Sequence, residues 1–298
     1  MPEGTVIATG LQFPEGPAID RDGVLHVVEI AGQRVTKVQP DGTTEVFATT
    51  GGGPNGSAFG PDGRLYVCNN GGRWPTDVPS TATSGRAEAG AGRIEAISPE
   101  GSVETVLTEV DGEPLHAPND ICFDADGGYY FTDPVWASAV MERTAGHIVH
   151  VDASGSARRV HTGLQFPNGL GVTDDGRFLV VCESMTGMLW GFKIGSGGAL
   201  EGEPRPNGHI GRRSIPDGFC FDSDGNMIIA GHQTNHLFVH AGSDGRPVRT
   251  VELAEAGPTN VCFGGSDFRT LYVTSSDAGE VVALEWPVPG MRLFPDRR

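Results

Sequence analysis

The stretch TGLQFPEG at residues 9–16 returns as TGLQFPNG at residues 162–169. Six consecutive residues are unchanged, whereas the residue behind the proline is Glu15 in one copy and Asn168 in the other. A turn kept this closely indicates a structural repeat, and a repeat of this kind sets the architecture of a whole chain.

Aligning the chain on this proline reveals six copies. In each copy the proline precedes a short apolar stretch, a turn that is commonly Asp-Gly, and a β-rich run. Asp-Gly between two such runs is a strong hairpin signal, and two further strand-like runs follow it. A spacing of roughly 40 to 65 residues with four strands per copy is typical of propeller blades. The six prolines are Pro14, Pro54, Pro118, Pro167, Pro216 and Pro258.

The two ends of the chain predict how the ring closes. Residues 5–8 read as a strand with no blade before it, whereas the last copy, which ends near residues 280–284, lacks a fourth strand. Pairing the two removes exposed sheet edges. We therefore expect an all-β fold in which residues 1–298 form one domain, a six-bladed β-propeller with four antiparallel strands per blade and the N-terminal strand closing the last blade.

The residue behind each proline is the one that varies. The first strand of a propeller blade lines the central channel, so these six positions converge on one axis. Carboxylates and amides gathered there need a counter-charge, and an all-oxygen ligand set favours Ca²⁺, with Mg²⁺, Mn²⁺ or Zn²⁺ as substitutes. The alternative is a wet channel in which these groups bind water. The positions are Glu15, Asn55, Asn119, Asn168, Asp217 and Thr259, the last followed by Asn260.

The ends of the second strands form an outer ring on the same face. Its candidates are Asp133, Glu183 and His232. His232 is either a proton shuttle or substrate contact, or an ordinary surface histidine. Residues 70–93, rich in small residues and proline, are either a lid that places Trp74 over a substrate or an unstructured loop. Trp136 occupies the matching place in the third blade.

Composition narrows the class of protein. The net charge of −17 disfavours nucleic acid and anionic membranes as partners, because both attract clustered lysine and arginine. No apolar run approaches the roughly 18 residues of a membrane helix, and no basic stretch precedes an apolar one at the N-terminus. We therefore expect a soluble protein, cytoplasmic by default. Three of the five cysteines, Cys122, Cys220 and Cys262, share one repeat position and read as small buried hydrophobes.

The ordered set of motifs resembles the SMP-30/gluconolactonase family. Each motif is weak alone, but together they span nearly the whole chain. The resemblance implies a six-bladed propeller that hydrolyses lactones with the help of a divalent cation. The matching runs are residues 13–17, 118–120, 131–134, 166–169, 216–218, 258–261 and 263–265.

The resemblance also implies roles for single residues. Glu15, Asn168 and Asp217 would bind the metal, and Asn119 would be a fourth ligand or would hold the substrate. Asp217 would also be the proton acceptor. A carboxylate on a cation has a lowered pKa and is a weak base, so Glu183 or a hydroxide ion on the cation stays an alternative.

One position departs from the sugar-lactonase pattern. Ala117 stands where members that bind aldonolactones often have an arginine, two residues before Asn119. The missing guanidinium removes donors suited to hydroxyl and carbonyl oxygens. A less polar lactone or ester is therefore expected, with Trp74 and Trp136 at the rim and His116 as a partial replacement.

Three other functions stay open. The same site could hydrolyse organophosphates, as the similar diisopropylfluorophosphatase architecture suggests. The chain could instead be a non-catalytic propeller whose ion stabilises the ring while its polar face binds a protein or metabolite. The metal-free condensing chemistry of strictosidine-synthase-like propellers is disfavoured, because a metal-free channel gains little from both Glu15 and Asp217.

Overall fold

A computed structural model of the chain describes residues 4–73, 90–135, 145–211, 213–254 and 257–294. The secondary structure in these ranges is β-strand, apart from one turn of 3-10 helix at Ser196–Gly198. No helix in the described part of the chain has the length and apolarity needed to cross a bilayer.

Six antiparallel four-stranded sheets follow the six repeats in order. Blade 1 contains β2 (Pro14–Ile19), β3 (Leu25–Glu29), β4 (Arg34–Val38) and β5 (Thr44–Thr49), after the N-terminal strand β1 (Thr5–Ala8). Blade 2 contains β6 (Pro54–Phe59), β7 (Leu65–Asn69), β8 (Arg93–Ile97) and β9 (Val103–Leu107). A small hairpin of β10 (Glu109–Val110) and β11 (Glu113–Pro114) precedes blade 3, which contains β12 (Ile121–Phe123), β13 (Tyr129–Asp133), β14 (Ala145–Val151) and β15 (Ala157–Gln165).

The second half of the ring repeats this order. Blade 4 contains β16 (Pro167–Val172), β17 (Phe178–Glu183), β18 (Met188–Ile194) and β19 (Leu200–His209). Blade 5 contains β20 (Pro216–Phe221), β21 (Asn226–Gly231), β22 (His236–Ala241) and β23 (Pro247–Glu252). Blade 6 contains β24 (Pro258–Gly264), β25 (Thr270–Ser275) and β26 (Glu280–Glu285).

The N-terminal strand completes blade 6. β1 pairs antiparallel with β26, with Thr5 opposite Ala283 and Val6 opposite Val282. The sheet order β1-β26-β25-β24 makes β1 the fourth strand of this blade. The predicted six-bladed propeller and its closure by the N-terminal strand are therefore confirmed.

Apolar side chains fill the space between neighbouring blades. Between blades 5 and 6, for example, Ile228 and Val239 pack with Phe263 and Trp286. All five cysteines are free thiols: Cys122 is half-buried, and Cys68, Cys182, Cys220 and Cys262 are buried. Cys122, Cys220 and Cys262 pack in or against the apolar clusters, as predicted for small hydrophobes.

Hydroxyl groups link adjacent blades at their inner ends. In each case a serine or threonine donates a hydrogen bond to a main-chain carbonyl of a neighbouring blade, so the blades are joined near the axis as well as through their apolar layers. The donor and acceptor pairs are Ser57 and Gly16 (2.6 Å), Thr132 and Asn168 (2.9 Å), Ser184 and Pro216 (2.7 Å), and Thr259 and Pro14 (3.0 Å).

The repeated turn has an unusual backbone. The residue before the proline has a positive φ in Phe13 (58°), Phe166 (57°), Ile215 (45°) and Gly257 (79°). This left-handed region is unfavourable for residues other than glycine, and most of all for a β-branched one such as Ile215. Neighbouring groups must therefore hold the turn in place, and this geometric requirement accounts for the close repetition of TGLQFP.

The inner strands also approach one another very closely. Gly169 lies two residues behind Pro167, where a Cβ atom would overlap the carbonyl oxygen of Asp217 and lie 2.8 Å from Cα of Gly218. Any larger residue at position 169 would push blades 4 and 5 apart.

We predict that Gly169→Ala lowers the free energy of unfolding by about 1–3 kcal/mol, the usual effect of overpacking. Gly191→Ala in the same blade is the control, because the nearest atoms to a Cβ at Gly191 lie at 3.7 Å. It should change stability by less than about 1 kcal/mol. Urea denaturation of both variants measures the difference, and equal stabilities would contradict the close approach.

Candidate functional site

Three carboxylates from three blades meet in the central channel. Glu15 in blade 1 is 4% exposed, Asp120 in blade 3 is 8% exposed and Asp217 in blade 5 is 7% exposed. The structure brings Glu15 and Asp217 together, as predicted. The charges of Glu15 and Asp120 both act on Asp217, and the charge of Asp120 also acts on Glu15.

Burial and mutual repulsion disfavour the charged forms of these groups. Burial, followed by the charge of Asp120, raises the pKa of Glu15 to about 8. Burial likewise raises the pKa of Asp120 to about 6. Burial, with the charges of Glu15 and Asp120, raises the pKa of Asp217 well above its usual range. Three such groups need a counter-charge to ionise together, and a divalent cation is the simplest one.

Two buried amides, Asn119 and Asn168, occupy the same repeat position as Glu15 and Asp217, and we refer to these four residues together with Asp120 as the inner ring. Asn119 is 5% exposed and Asn168 is 6% exposed. The amide nitrogen of Asn168 donates to Oγ of Ser184 at 3.2 Å, and a hydrogen bond from the same side chain acts on Asp217. With its nitrogen engaged in this way, the carbonyl oxygen of Asn168 is the atom of this side chain that could bind a cation. Carboxylate and amide oxygens without sulfur or imidazole fit a hard divalent cation.

Asp120 is the channel residue that the repeat analysis missed. It stands two residues behind Pro118, where four other copies of the repeat have glycine. Asn260 stands at the same place in the last copy, and its amide nitrogen lies 3.3 Å from Oδ2 of Asp120. The departure from glycine is the signal in the sequence that could have identified Asp120.

Glu183 makes contacts of a different kind. Its carboxylate accepts hydrogen bonds from the main-chain nitrogen of Gln165 at 2.6 Å and from the indole of Trp190 at 2.9 Å. The hydroxyl of Thr186 donates to it as well. These donors engage both oxygens and hold the strained turn before Pro167. The contacts support a structural role and give no support to the predicted role as a base.

Asp133 and Glu29 hold the corresponding turns of their own blades. Asp133 has no exposed surface and accepts a hydrogen bond from the main-chain nitrogen of Ala117 at 2.7 Å. Glu29 accepts one from the main-chain nitrogen of Gln12 at 2.7 Å. A fully buried carboxylate that is bonded in this way supports the turn, and its contacts do not favour the predicted role of Asp133 in substrate binding.

The two predicted histidines, His232 and His116, have different neighbours. Nδ1 of His232 is 3.9 Å from Oδ2 of Asp217 and finds no hydrogen-bond partner among the described residues. His116 instead stacks on His147, with ring centroids 6.0 Å apart. His232 is therefore the histidine beside the inner ring. Trp74 and Trp136, both predicted at the rim, lie outside the described residues.

The chain belongs to the SMP-30/gluconolactonase/LRE-like family. The family profile described as the SMP-30/Gluconolactonase/LRE-like region matches residues 13–277, which include all six proline motifs. This match confirms the resemblance that the motifs indicated.

Two relatives illustrate the chemistry named within this group. The gluconolactonase of Zymomonas mobilis is 24% identical over 299 aligned residues, which cover 91% of this chain and 78% of that protein. The diisopropyl-fluorophosphatase of Loligo vulgaris is 28% identical over 203 residues, which cover 64% of this chain and 64% of that protein.

Solved structures share the architecture. A gluconolactonase from Xanthomonas campestris superposes with a TM-score of 0.76 at 23% identity, covering 95% of this chain and 89% of that one. Regucalcin from Agrobacterium tumefaciens, described as a calcium-binding protein, superposes with a TM-score of 0.79 at 18% identity, covering 98% and 96%. At these identities the likeness shows a common fold.

We predict that Glu183→Gln lowers the free energy of unfolding by about 1–3 kcal/mol, because the new amide group would face the donors of Gln165 and Trp190. Glu201→Gln is the control, since Glu201 is an exposed partner of Lys193 in the same blade. It should change stability by less than about 1 kcal/mol. Thermal unfolding of both variants tests this. An unchanged melting temperature in Glu183→Gln together with lost activity would restore Glu183 as a catalytic base.

Proposed function

We propose that this protein is a divalent-metal-dependent hydrolase that opens the ring of a lactone. The observation that carries the proposal is the buried ring of oxygen donors formed by Glu15, Asn119, Asn168 and Asp217, one residue from each of four blades. Membership of the SMP-30/gluconolactonase/LRE-like family and relatives named as gluconolactonases support the reaction class.

These four residues would hold the cation. Their donor set fits Ca²⁺ best, with Mg²⁺, Mn²⁺ or Zn²⁺ as substitutes. The regucalcin with the same fold is described as calcium-binding, which supports this choice. A bound cation would polarise the ester carbonyl and stabilise the negative charge that develops on its oxygen.

Asp217 is the proposed proton acceptor. Burial and the charges of Glu15 and Asp120 raise its pKa, which opposes the weakening of the base that a cation causes. Water adds its oxygen to the carbonyl carbon while Asp217 takes the proton. The ring C–O bond then breaks, and the alkoxide oxygen recovers the proton to give a hydroxy acid.

His232 is a candidate for contact with the attacking water or the substrate. Its Nδ1 lies 3.9 Å from Oδ2 of Asp217, a separation that one bridging water can span. Glu183 is left out of the proposed catalytic set because its oxygens already accept hydrogen bonds from Gln165 and Trp190.

The proposed substrate is less polar than an aldonolactone. Ala117 is buried at 1% exposure, its main-chain nitrogen is bonded to Asp133, and its methyl group offers no donor to a sugar hydroxyl. His116 is the nearest polar side chain in sequence and its main-chain nitrogen is bonded to the same carboxylate. The lack of a donor side chain at position 117 favours a lactone or ester with few hydroxyl groups.

A second substrate class is the fluorophosphates. The similarity to the diisopropyl-fluorophosphatase of Loligo vulgaris is the observation that favours it. The same oxygen donors and the same acceptor of a proton would serve an attack of water on phosphorus.

We expect turnover to depend on added metal. Metal-stripped protein is assayed by pH indicator with sugar, aliphatic and aromatic lactones and with a fluorophosphate, while Ca²⁺, Mg²⁺, Mn²⁺ and Zn²⁺ are added singly. Activity should appear only with metal, and an aliphatic or aromatic lactone should have the highest kcat/KM. A higher value for the fluorophosphate would replace the lactonase proposal, and ion binding without turnover would favour a binding propeller.

We predict that Asp217→Asn and Glu15→Gln keep the fold but lower kcat/KM by about three orders of magnitude. Without metal, both variants should unfold at or above the wild-type temperature, because each removes one of the repelling charges. Asp41→Asn and Glu45→Gln make the same changes on the exposed surface of blade 1 and should retain activity. A fully active double variant of residues 15 and 217 would refute the assignment.

A further inference from the structure

Two side chains interrupt the glycine position of the repeat. Two residues behind the proline, four copies have glycine, whereas blade 3 has Asp120 and blade 6 has Asn260. Blades 3 and 6 stand opposite each other in a ring of six, so these two side chains extend toward each other across the channel.

The amide of Asn260 connects three blades. Its nitrogen donates a hydrogen bond to Oε2 of Glu15 in blade 1 at 3.2 Å and another to Oδ2 of Asp120 in blade 3 at 3.3 Å. Asn260 is 7% exposed, so both bonds lie away from bulk water. Hydrogen bonds to charged acceptors in such surroundings are stronger than those between neutral groups.

The orientation of both side chains is set by their own backbone. The main-chain nitrogen of Val261 donates to Oδ1 of Asn260 at 2.8 Å, and that of Ile121 donates to Oδ1 of Asp120 at 3.0 Å. Turning the amide of Asn260 over would break its bond to Val261 and point its oxygen at two carboxylates. The nitrogen of Asn260 therefore has to face the channel.

Glycines in the neighbouring blades leave room for this arrangement. A Cβ atom at Gly218 would overlap the amide of Asn260, and one at Gly56 would overlap the carboxylate of Asp120. The glycine position of blades 5 and 2 thus makes space for the side chains that blades 6 and 3 have instead.

We propose that Asn260 is a positioning residue that orients Glu15 for binding a divalent cation, an inference that rests on the cation site proposed above. The main-chain nitrogen of Gly16 donates to Oε2 of Glu15 at 2.7 Å, and Asn260 donates to the same oxygen. Two donors on Oε2 restrict the rotation of the carboxylate, so Oε1 is the oxygen that would bind the cation. Both donors also stabilise its charged form.

Asn260→Gly is the first test, because glycine is the residue that four other blades have at this position and the fold should tolerate it. We expect the Ca²⁺ dissociation constant, measured by isothermal titration calorimetry, to rise about tenfold or more. The melting temperature without metal should stay within about 4 °C of wild type. Saturating Ca²⁺ should restore most of kcat, because Asn260 does not take part in the chemical step.

Asn260→Asp is the second test, because it keeps the size of the side chain and turns a donor into an acceptor. We expect it to weaken Ca²⁺ binding more than Asn260→Gly does. Asn235→Asp is the matched control: Asn235 also donates to a glutamate, Oε1 of Glu252 at 3.2 Å, but at the exposed edge of blade 5. It should bind Ca²⁺ as the wild type does.

The outcomes separate this inference from the proposed function. Wild-type affinity in Asn260→Gly would overturn the positioning role alone, and tighter binding in Asn260→Asp would show that residue 260 is itself a ligand. If the wild-type protein binds none of Ca²⁺, Mg²⁺, Mn²⁺ and Zn²⁺, the cation site is wrong and the positioning role falls with it.

Discussion

Repulsion among three buried carboxylates is the constraint on which the rest of the structure depends. Glu15, Asp120 and Asp217 come from different blades. Burial raises the pKa of all three carboxyls, and neighbouring negative charges add to this for Glu15 and Asp217. A flexible channel would relieve this by moving the groups apart. The ring keeps them together because its blades are joined near the axis by hydroxyl-to-carbonyl bonds, such as that from Thr259 to Pro14.

Glutamate and aspartate serve two purposes in this protein. The hydrogen-bond donors that surround each carboxylate distinguish the two. The carboxylate of Glu183 accepts bonds from a main-chain nitrogen and an indole, so its charge is balanced by fixed protein groups. In contrast, the donors to Glu15 that come from Gly16 and Asn260 both bind Oε2, so the proposed cation would take Oε1. Acidic groups of the outer ring hold strained turns. Acidic groups of the inner ring are the ones that we propose bind the cation.

Much of the architecture could be predicted because it is local. Proline, Asp-Gly turns and alternating apolar runs define each blade within about 50 residues, which is the length of one repeat. The unpaired strand at residues 5–8 also predicted the closure with β26, which the structure confirms. The outer ring was harder, because Asp133 and Glu183 resemble site residues until their main-chain donors, Ala117 and Gln165, are known.

The sequence by itself determined the six repeats, the closure of the ring and the positions of Glu15 and Asp217, because a residue behind each proline must face the axis. Only the tertiary structure decided that Asp120 and Asn260 meet across the channel, since that contact joins residues 140 positions apart in opposite blades. The tertiary structure also decided which carboxylates accept hydrogen bonds from main-chain and side-chain donors that hold a turn. The physical reason is that a carboxylate is structural or available according to the donors around it, and those donors come from segments that only folding brings together.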